Sequence, residues 1–345
     1  MGNRAYNFNA GPSALPLEVL QTAQEELTDY KGLGMSIMEV SHRSKAYDDV
    51  HEQALQRVKD LLQVPSNYKV LFMQGGASTQ FAMIPMNFLQ GDKLGSYVIT
   101  GSWAKKAAQE AELAGGLHVA AQLEQFTRIP DLNEIEPNER AAYLHVTSNE
   151  TIEGIQYKQF PDSSSVPLIA DMSSDIMSRP LDLTQFGMIY AGAQKNLGPS
   201  GGTLVILRED LLNDIPKQVP TMLRYDTHAS KNSLYNTPPV YSIYMMNLVM
   251  GWIQEQGGLA AIERKNKEKT DLIYQCIDQS EGFYAGTAEA DSRSVMNLTF
   301  RLPTEQLEQT FIKEATEQGF VGLKGHRSVG GLRASTYNAV PYEHC

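Results

Sequence analysis

The sequence predicts an α/β fold, a mostly parallel mixed sheet with helices on both faces, plus a smaller α+β domain. Three observations predict it. From about Lys69 to Leu207, short β-branched or apolar runs alternate with helical patterns, as when parallel strands are joined by crossover helices. The last two of these runs are separated only by NLGPSGG, too short for a crossover, so the final strand runs antiparallel and the sheet is mixed. After Glu209 the alternation gives way to long helices and a late strand, helix and strand.

Taken in order, KVLFM (69–73) leads through GGAS into the helical TQFAMIPMNFL, and SYVIT (96–100) leads through GSW into AKKAAQEAELAG. HVAAQ (118–122), AAYLHVT (141–147), PLIADMS (167–173), MIYAGA (188–193) and TLVIL (203–207) supply the remaining strands. Two helices follow, at 241–256 and 259–279, broken by QGG. In the second, Leu259, Ile262, Leu272, Ile273 and Cys276 are expected on one side. A strand (295–302), a helix (304–318), a loop and a strand (332–339) complete the chain. The division expected is a large domain over 16–258 and a small one made of 1–15 and 259–345.

At 345 residues, 42% hydrophobic and 20% charged, the chain has the composition of an ordinary globular protein. Its formal charge of −11 is spread without a basic run, which argues against a nucleic-acid surface. The longest apolar stretch, 241–253, is too short and interrupted to span a bilayer, and the N-terminus lacks an apolar signal core, so the protein reads as cytosolic. Two cysteines, Cys276 and Cys345, offer neither a disulfide framework nor a CxxC site, and the seven histidines lack ligand spacing. No metal is expected.

Lys195 leaves an apolar strand just before the NLGPSGG turn. A lone lysine there is ordinarily a solvated strand end, so its company decides. In an open parallel sheet, ligands gather outside the carboxyl ends of the strands. At those ends stand Gly75-Gly76-Ala77-Ser78, a turn opening a helix whose free N–H groups suit a phosphate; Trp103, a flat aromatic; Thr151, a hydroxyl; and Asp171, a carboxylate. Each alone has a plain alternative in turn chemistry, core filling or capping. Together they suit pyridoxal phosphate, which needs a lysine for its Schiff base, an acid at its pyridine nitrogen and a phosphate site. Lys195 supplies the first, Asp171 the second and GGAS the third, with Trp103 stacking on the ring and Thr151 at the phenolic oxygen.

The residues SHRS (41–44), GGAS (75–78), GSWAKKA (101–107), SNETIEGIQ (148–156), ADMSSDIMSRP (170–180), YAGAQKN (190–196) and YNTPP (235–239) occur in an order that resembles the phosphoserine aminotransferase family. These are class V aminotransferases of PLP fold type I, and the resemblance spans nearly the whole chain. It implies that Lys195 holds the cofactor, that Asp171 pairs with the pyridine nitrogen, and that Ala77, Ser78 and Gln194 bind the phosphate. It also implies a homodimer, in which Asn236 and Thr237 of the partner subunit reach that phosphate.

Two His-Arg pairs, His42-Arg43 and His326-Arg327, and Arg333 sit in loop-like contexts where exposed charge is the ordinary reading. The resemblance makes them substrate residues: Arg333 for the α-carboxylate, the pairs for phosphate or the side-chain carboxylate of glutamate, with the histidines cationic in the complex. The implied reaction is a reversible ping-pong transfer from L-glutamate to 3-phosphohydroxypyruvate, giving O-phosphoserine and 2-oxoglutarate. Members also commonly act on the phosphorylated hydroxythreonine of vitamin B6 synthesis. Family chains usually continue into a closing helix, for which VPYEHC leaves no room.

Rival readings fit less. A cysteine desulfurase needs a reactive cysteine on a mobile loop, and an alanine:glyoxylate transaminase needs less cationic equipment. Ser102-x-x-Lys105 has the spacing of a serine–lysine hydrolase but lacks the partner motifs. A non-enzymatic phosphate-binding module leaves Lys195 and Asp171 without a purpose.

Overall fold

The computed structural model describes residues 4–162 and 165–345. The expected N-terminal part of the small domain therefore begins, at 1–3, outside the described residues. Seven strands build the large sheet: β1 (Tyr68–Gln74), β2 (Leu94–Ile99), β3 (Leu117–Gln122), β4 (Ala141–Thr147), β5 (Leu168–Asp171), β6 (Met188–Gly192) and β7 (Gly202–Arg208). Across the sheet they stand first, seventh, sixth, fifth, fourth, second, third. Neighbours are parallel except that β7 runs antiparallel to both β6 and β1. The short connection before β7 has the consequence expected of it.

The helices are α1 (Leu17–Glu25), α2 (Lys45–Leu62), α3 (Gly76–Phe88), α4 (Ser102–Leu113), α5 (Tyr225–Ser230), α6 (Val240–Glu255), α7 (Gly258–Asp278) and α8 (Glu305–Glu317). Successive strand side chains point to opposite faces, and both faces are covered. Val70, Phe72, Leu144, Val146, Leu204 and Ile206 pack with residues of α1, α2 and α6. Leu71, Met73, Tyr143, Ile169, Val205 and Leu207 pack with Phe81 and Ile84 of α3 and with the alanines of α4. This two-sided burial is why the strands read as continuous apolar runs instead of alternating ones.

The C-terminal block is an antiparallel sheet of β8 (Ala285–Gly286), β9 (Asn297–Arg301) and β10 (Leu332–Ser335), with α7 and α8 beside it. The N-terminal segment joins this block: Tyr6–Asn7 pairs in parallel with Phe320–Val321, a short strand that the sequence reading placed in a loop. Phe8 and Ala14 share a core with Leu298, Ala334 and Val340.

One expectation is corrected. The buried stripe of α7 runs through Leu259, Ile262, Asn266, Lys269, Thr270 and Ile277, whereas Leu272 is 40% exposed and Cys276 is also exposed. Three polar residues, Asn266, Lys269 and Thr270, lie on the buried side, where an apolar count does not look for them. Asn266 donates to Asn338 Oδ1 at 2.8 Å, and Lys269 donates to the carbonyls of Thr336, Tyr337 and Val340 at 2.9–3.1 Å. Among the described residues no helix is long and apolar enough to cross a membrane.

Candidate active site

At the carboxyl edge of the parallel strands lies a cavity of about 330 Å³. β1 delivers its first wall. Gly75 and Gly76 take φ of +93° and +67°, and a Cβ on Gly75 would lie 2.0 Å from Thr79 Oγ1, so only glycine makes this turn. Among the described residues no side chain caps α3, which leaves its first N–H groups, near Ala77 and Ser78, beside the cavity those residues line.

β6 delivers Gln194 and Lys195. The N-terminal segment lies over this turn: Ser13 donates through its N–H to the Gln194 carbonyl (3.0 Å) and through its hydroxyl to the Lys195 carbonyl. A Cβ on Gly11 would come within 3.4 Å of the Lys195 side chain. Lys195 is only 9% exposed, and its ammonium donates to Thr151 Oγ1. Burial pulls its pKa down to about 8, against the opposing pull of Asp171 and Glu150. A buried amine of that basicity is available as a nucleophile and as a proton carrier near neutral pH.

Asp171 ends β5 inside the same cavity. Burial raises its pKa, while the N–H and hydroxyl of Ser173 donate to Oδ1 at 2.9 and 2.6 Å and work the other way. The Ser173 hydroxyl also accepts from Gly192 N–H at 3.0 Å, which fixes the β5 exit against the β6 exit. Trp103, in the first turn of α4, stands with its ring centroid 5.7 Å from the Lys195 ammonium and 4.3 Å from that of Lys106. Two buried polar atoms on the wall, Thr147 Oγ1 and Trp103 Nε1, have no hydrogen-bond partner among the described residues.

A compact polar ligand with an anionic group at the α3 end, facing a carboxylate and an amine, fits this donor set. Pyridoxal phosphate is such a ligand.

Of the residues singled out from sequence, Ala77, Ser78, Trp103, Thr151, Asp171, Gln194 and Lys195 line this one cavity. Arg333, on β10, reaches its edge by donating to the Thr151 carbonyl at 3.2 Å. Its neighbour His326 is pulled below its ordinary pKa by burial and by the charges of Arg333, Arg327 and Lys106. The expected cationic histidine thus requires an anion to reverse that pull. Arg327 is exposed.

Besides His326 and Arg327, four expected residues do not line the cavity within one chain. His42 and Arg43 lie in the turn before α2, where Ser44 of the same motif accepts from Tyr47 N–H as a helix cap. Asn236 lines a neighbouring cavity with Gln74 and Gly75, and the Thr237 carbonyl accepts from Gln74 Nε2 at 3.0 Å. Conversely, Ser13, Thr147 and Ser173 have places in or around the site that residue types alone did not single out. Ser173 carried a signal in its spacing, two residues beyond Asp171.

This geometry, a lysine and a carboxylate on adjacent strand ends below a helix N-terminus, belongs to a transferase that works through a bound carbonyl cofactor. The sequence model of "Aminotransferase class-V" matches residues 5–344, and the chain belongs to that family. It is 63% identical to the phosphoserine aminotransferase of Niallia circulans, over 100% of this chain and 96% of that one. Among solved structures it resembles phosphoserine aminotransferase from Bacillus circulans subsp. alkalophilus with a TM-score of 0.98 at 63% identity, covering 100% and 96% of the two chains. It also resembles PLP-bound phosphoserine aminotransferase from Trichomonas vaginalis with a TM-score of 0.95 at 40% identity, covering 99% and 97%.

Proposed function

We propose that the chain is a pyridoxal-phosphate-dependent phosphoserine aminotransferase, moving the amino group of L-glutamate to 3-phosphohydroxypyruvate, reversibly, to give O-phospho-L-serine and 2-oxoglutarate in serine biosynthesis. The observation that carries this reading is the buried Lys195 amine beside Asp171 and the uncapped start of α3, in a chain 63% identical along its length to a phosphoserine aminotransferase.

When bound, pyridoxal phosphate supplies an electron sink that makes the α-proton of an amino acid removable. In this reading Ala77, Ser78 and Gln194 hold the phosphate, where the N–H groups and dipole of α3 favour negative charge. Asp171 would hold the pyridine nitrogen and keep a proton there. Thr151 steadies the phenolic oxygen, and Trp103 covers the ring and keeps water from it. Lys195 would anchor the cofactor, and its amine, once free, would serve as the base that takes the proton from the substrate α-carbon and as the acid that gives it up again, a task that its lowered basicity suits. Arg333 binds the α-carboxylate with its planar fork. His42, Arg43, His326 and Arg327 bind the phosphate or the second carboxylate.

That assignment needs a second subunit. Asn236, Thr237, His42 and Arg43 do not line the Lys195 cavity of their own chain, so we assign a homodimer in which Asn236 and Thr237 of the partner subunit reach the phosphate. Light scattering of the purified holoenzyme is expected to give twice the chain mass; a monomer with full activity would refute the shared site. A cytoplasmic enzyme suits the acidic, cysteine-poor composition. The two-domain division is supported by separate cores, although Leu259 and Ile262 pack with the large one.

The test is the visible spectrum of the yellow holoenzyme. O-phosphoserine alone is expected to bleach the band, and 2-oxoglutarate to restore it. Bleaching only by an unphosphorylated amino acid would leave a class V aminotransferase of another specificity.

A further inference from the structure

Two buried carboxyl groups that this chemistry does not use stand behind the cavity wall. Glu150 is fully enclosed and Glu153 is 9% exposed, and both belong to the tight hairpin in which Asn149–Glu150 pairs with Ile155–Gln156. Together they cap α4. Glu153 Oε1 accepts from the N–H and hydroxyl of Ser102 at 2.8 and 2.7 Å. Glu150 accepts from the N–H groups of Trp103 and Ala104 at 3.2 and 3.0 Å, and from Thr100 Oγ1 at 3.4 Å. Three successive helix N–H groups are thereby held, with that of Trp103 in the middle.

The fit is close. A Cβ on Gly101, the residue before α4, would meet Glu150 Cδ and Glu153 Oε2 at 2.6 Å each, so both carboxyl groups press on one glycine.

Capping alone does not call for this arrangement. A serine or aspartate at the helix boundary satisfies free N–H groups in water, whereas two interior carboxyl groups bring a desolvation penalty and mutual repulsion. The hairpin that carries them also carries Thr151, which accepts from Lys195 through its hydroxyl and from Arg333 through its carbonyl. One short loop therefore ties the turn bearing Trp103 to the amine and to the guanidinium.

We propose that Glu150 and Glu153 are positioning residues that hold Trp103 over the cofactor in register with Lys195 and Arg333. The proposal rests on the ring-covering role given to Trp103 above. Enclosure, and Glu153 facing it, drive the Glu150 carboxyl well above the usual range. Glu150 accepts at both oxygens, Oε2 from Trp103 and Oε1 from Ala104 and Thr100, so a glutamine, with one acceptor oxygen, keeps only part of this hold.

The experiment compares the Glu150→Ala, Glu150→Gln and Trp103→Phe holoenzymes and the Glu150→Ala/Trp103→Phe double variant. The readouts are kcat and the visible circular dichroism band of the bound cofactor. Glu150→Ala is expected to lower kcat about 100-fold, as a displacement near 1 Å does, and to shrink the band. Glu150→Gln, which keeps a single acceptor oxygen, recovers both only in part, and the double variant is no worse than the worse single one. An intact kcat and band in Glu150→Ala, or losses that multiply in the double variant, would overturn the proposal. If Trp103→Phe alone changes neither readout, the role of Trp103 falls instead. Should Glu150→Ala not give folded holoenzyme, Glu153→Ala must show the same joint loss, and a normal band there refutes the proposal.

Discussion

The two ends of the candidate site are built differently. The end near Lys195 and Asp171 is assembled from adjacent strands of one sheet, buried, with Lys195 bonded to Thr151 and Asp171 to Ser173, whose hydroxyl is tied to Gly192 of β6. The end near Arg333, His326 and Arg327 is assembled from the small sheet and an exposed loop. Rigid placement suits the proton chemistry, which tolerates little displacement. A looser cluster of cations suits anions that must enter and leave.

If that contrast holds, the largest loss comes from the strand-borne end. Lys195→Ala removes the anchoring amine and the proton carrier, and amino transfer is expected to fall by about 10⁴-fold, measured by single-turnover bleaching. The pH dependence sharpens the point. Only the neutral amine captures the cofactor, and burial brings its pKa to about 8. Reconstitution of cofactor-free protein should therefore speed up as pH rises, with a midpoint near 8 instead of near the ordinary lysine value. The Asp171 charge raises the Lys195 pKa, so Asp171→Asn must move the midpoint down. A midpoint that stays put would mean that the two groups do not interact across the cavity.

The substrate end should yield a smaller and different loss. Arg333→Leu is expected to raise KM for glutamate and O-phosphoserine alike by about 30-fold, the scale of a charge-assisted hydrogen-bond pair, with kcat changed less. Steady-state kinetics on both amino acids decide it. A loss confined to one of them would move Arg333 from the shared carboxylate to the part of the substrate that differs.

This difference also governs what could be read from the sequence. The strand-borne end was legible because strand, turn and residue type coincide: MIYAGA before Lys195, PLIAD ending in Asp171, and KVLFM before the GGAS turn each place a functional atom at a known edge of the sheet. Contacts between distant segments were not legible. Nothing in NAGPS indicates that Ser13 would bind the Lys195 carbonyl, and nothing in SNETIEGIQ indicates that its glutamates would cap a helix begun fifty residues earlier. On α7 the apolar count pointed to Leu272 and Cys276, because the buried Lys269 is stabilised by carbonyls that only the folded chain brings together. The HR pairs were noticed for their charge, but charge alone does not say which cavity, or which subunit, they serve.

The smallest expected effect separates two meanings inside one motif. In SHRS, Ser44 accepts from the N–H of Tyr47 and starts α2, while Arg43 beside it is exposed. Ser44→Ala removes a helix cap and is expected to cost about 1 kcal/mol of stability, seen as a modest fall in Tm, with the cofactor band and both KM values unchanged. Arg43→Ala should do the reverse, leaving Tm alone and raising KM for O-phosphoserine. If Ser44→Ala also weakens substrate binding, the cap and the cation act as one unit. The start of α2 would then be part of the substrate end, as rigidly held as the strand ends that carry Lys195 and Asp171, and the contrast between the two ends would shrink to a difference in exposure.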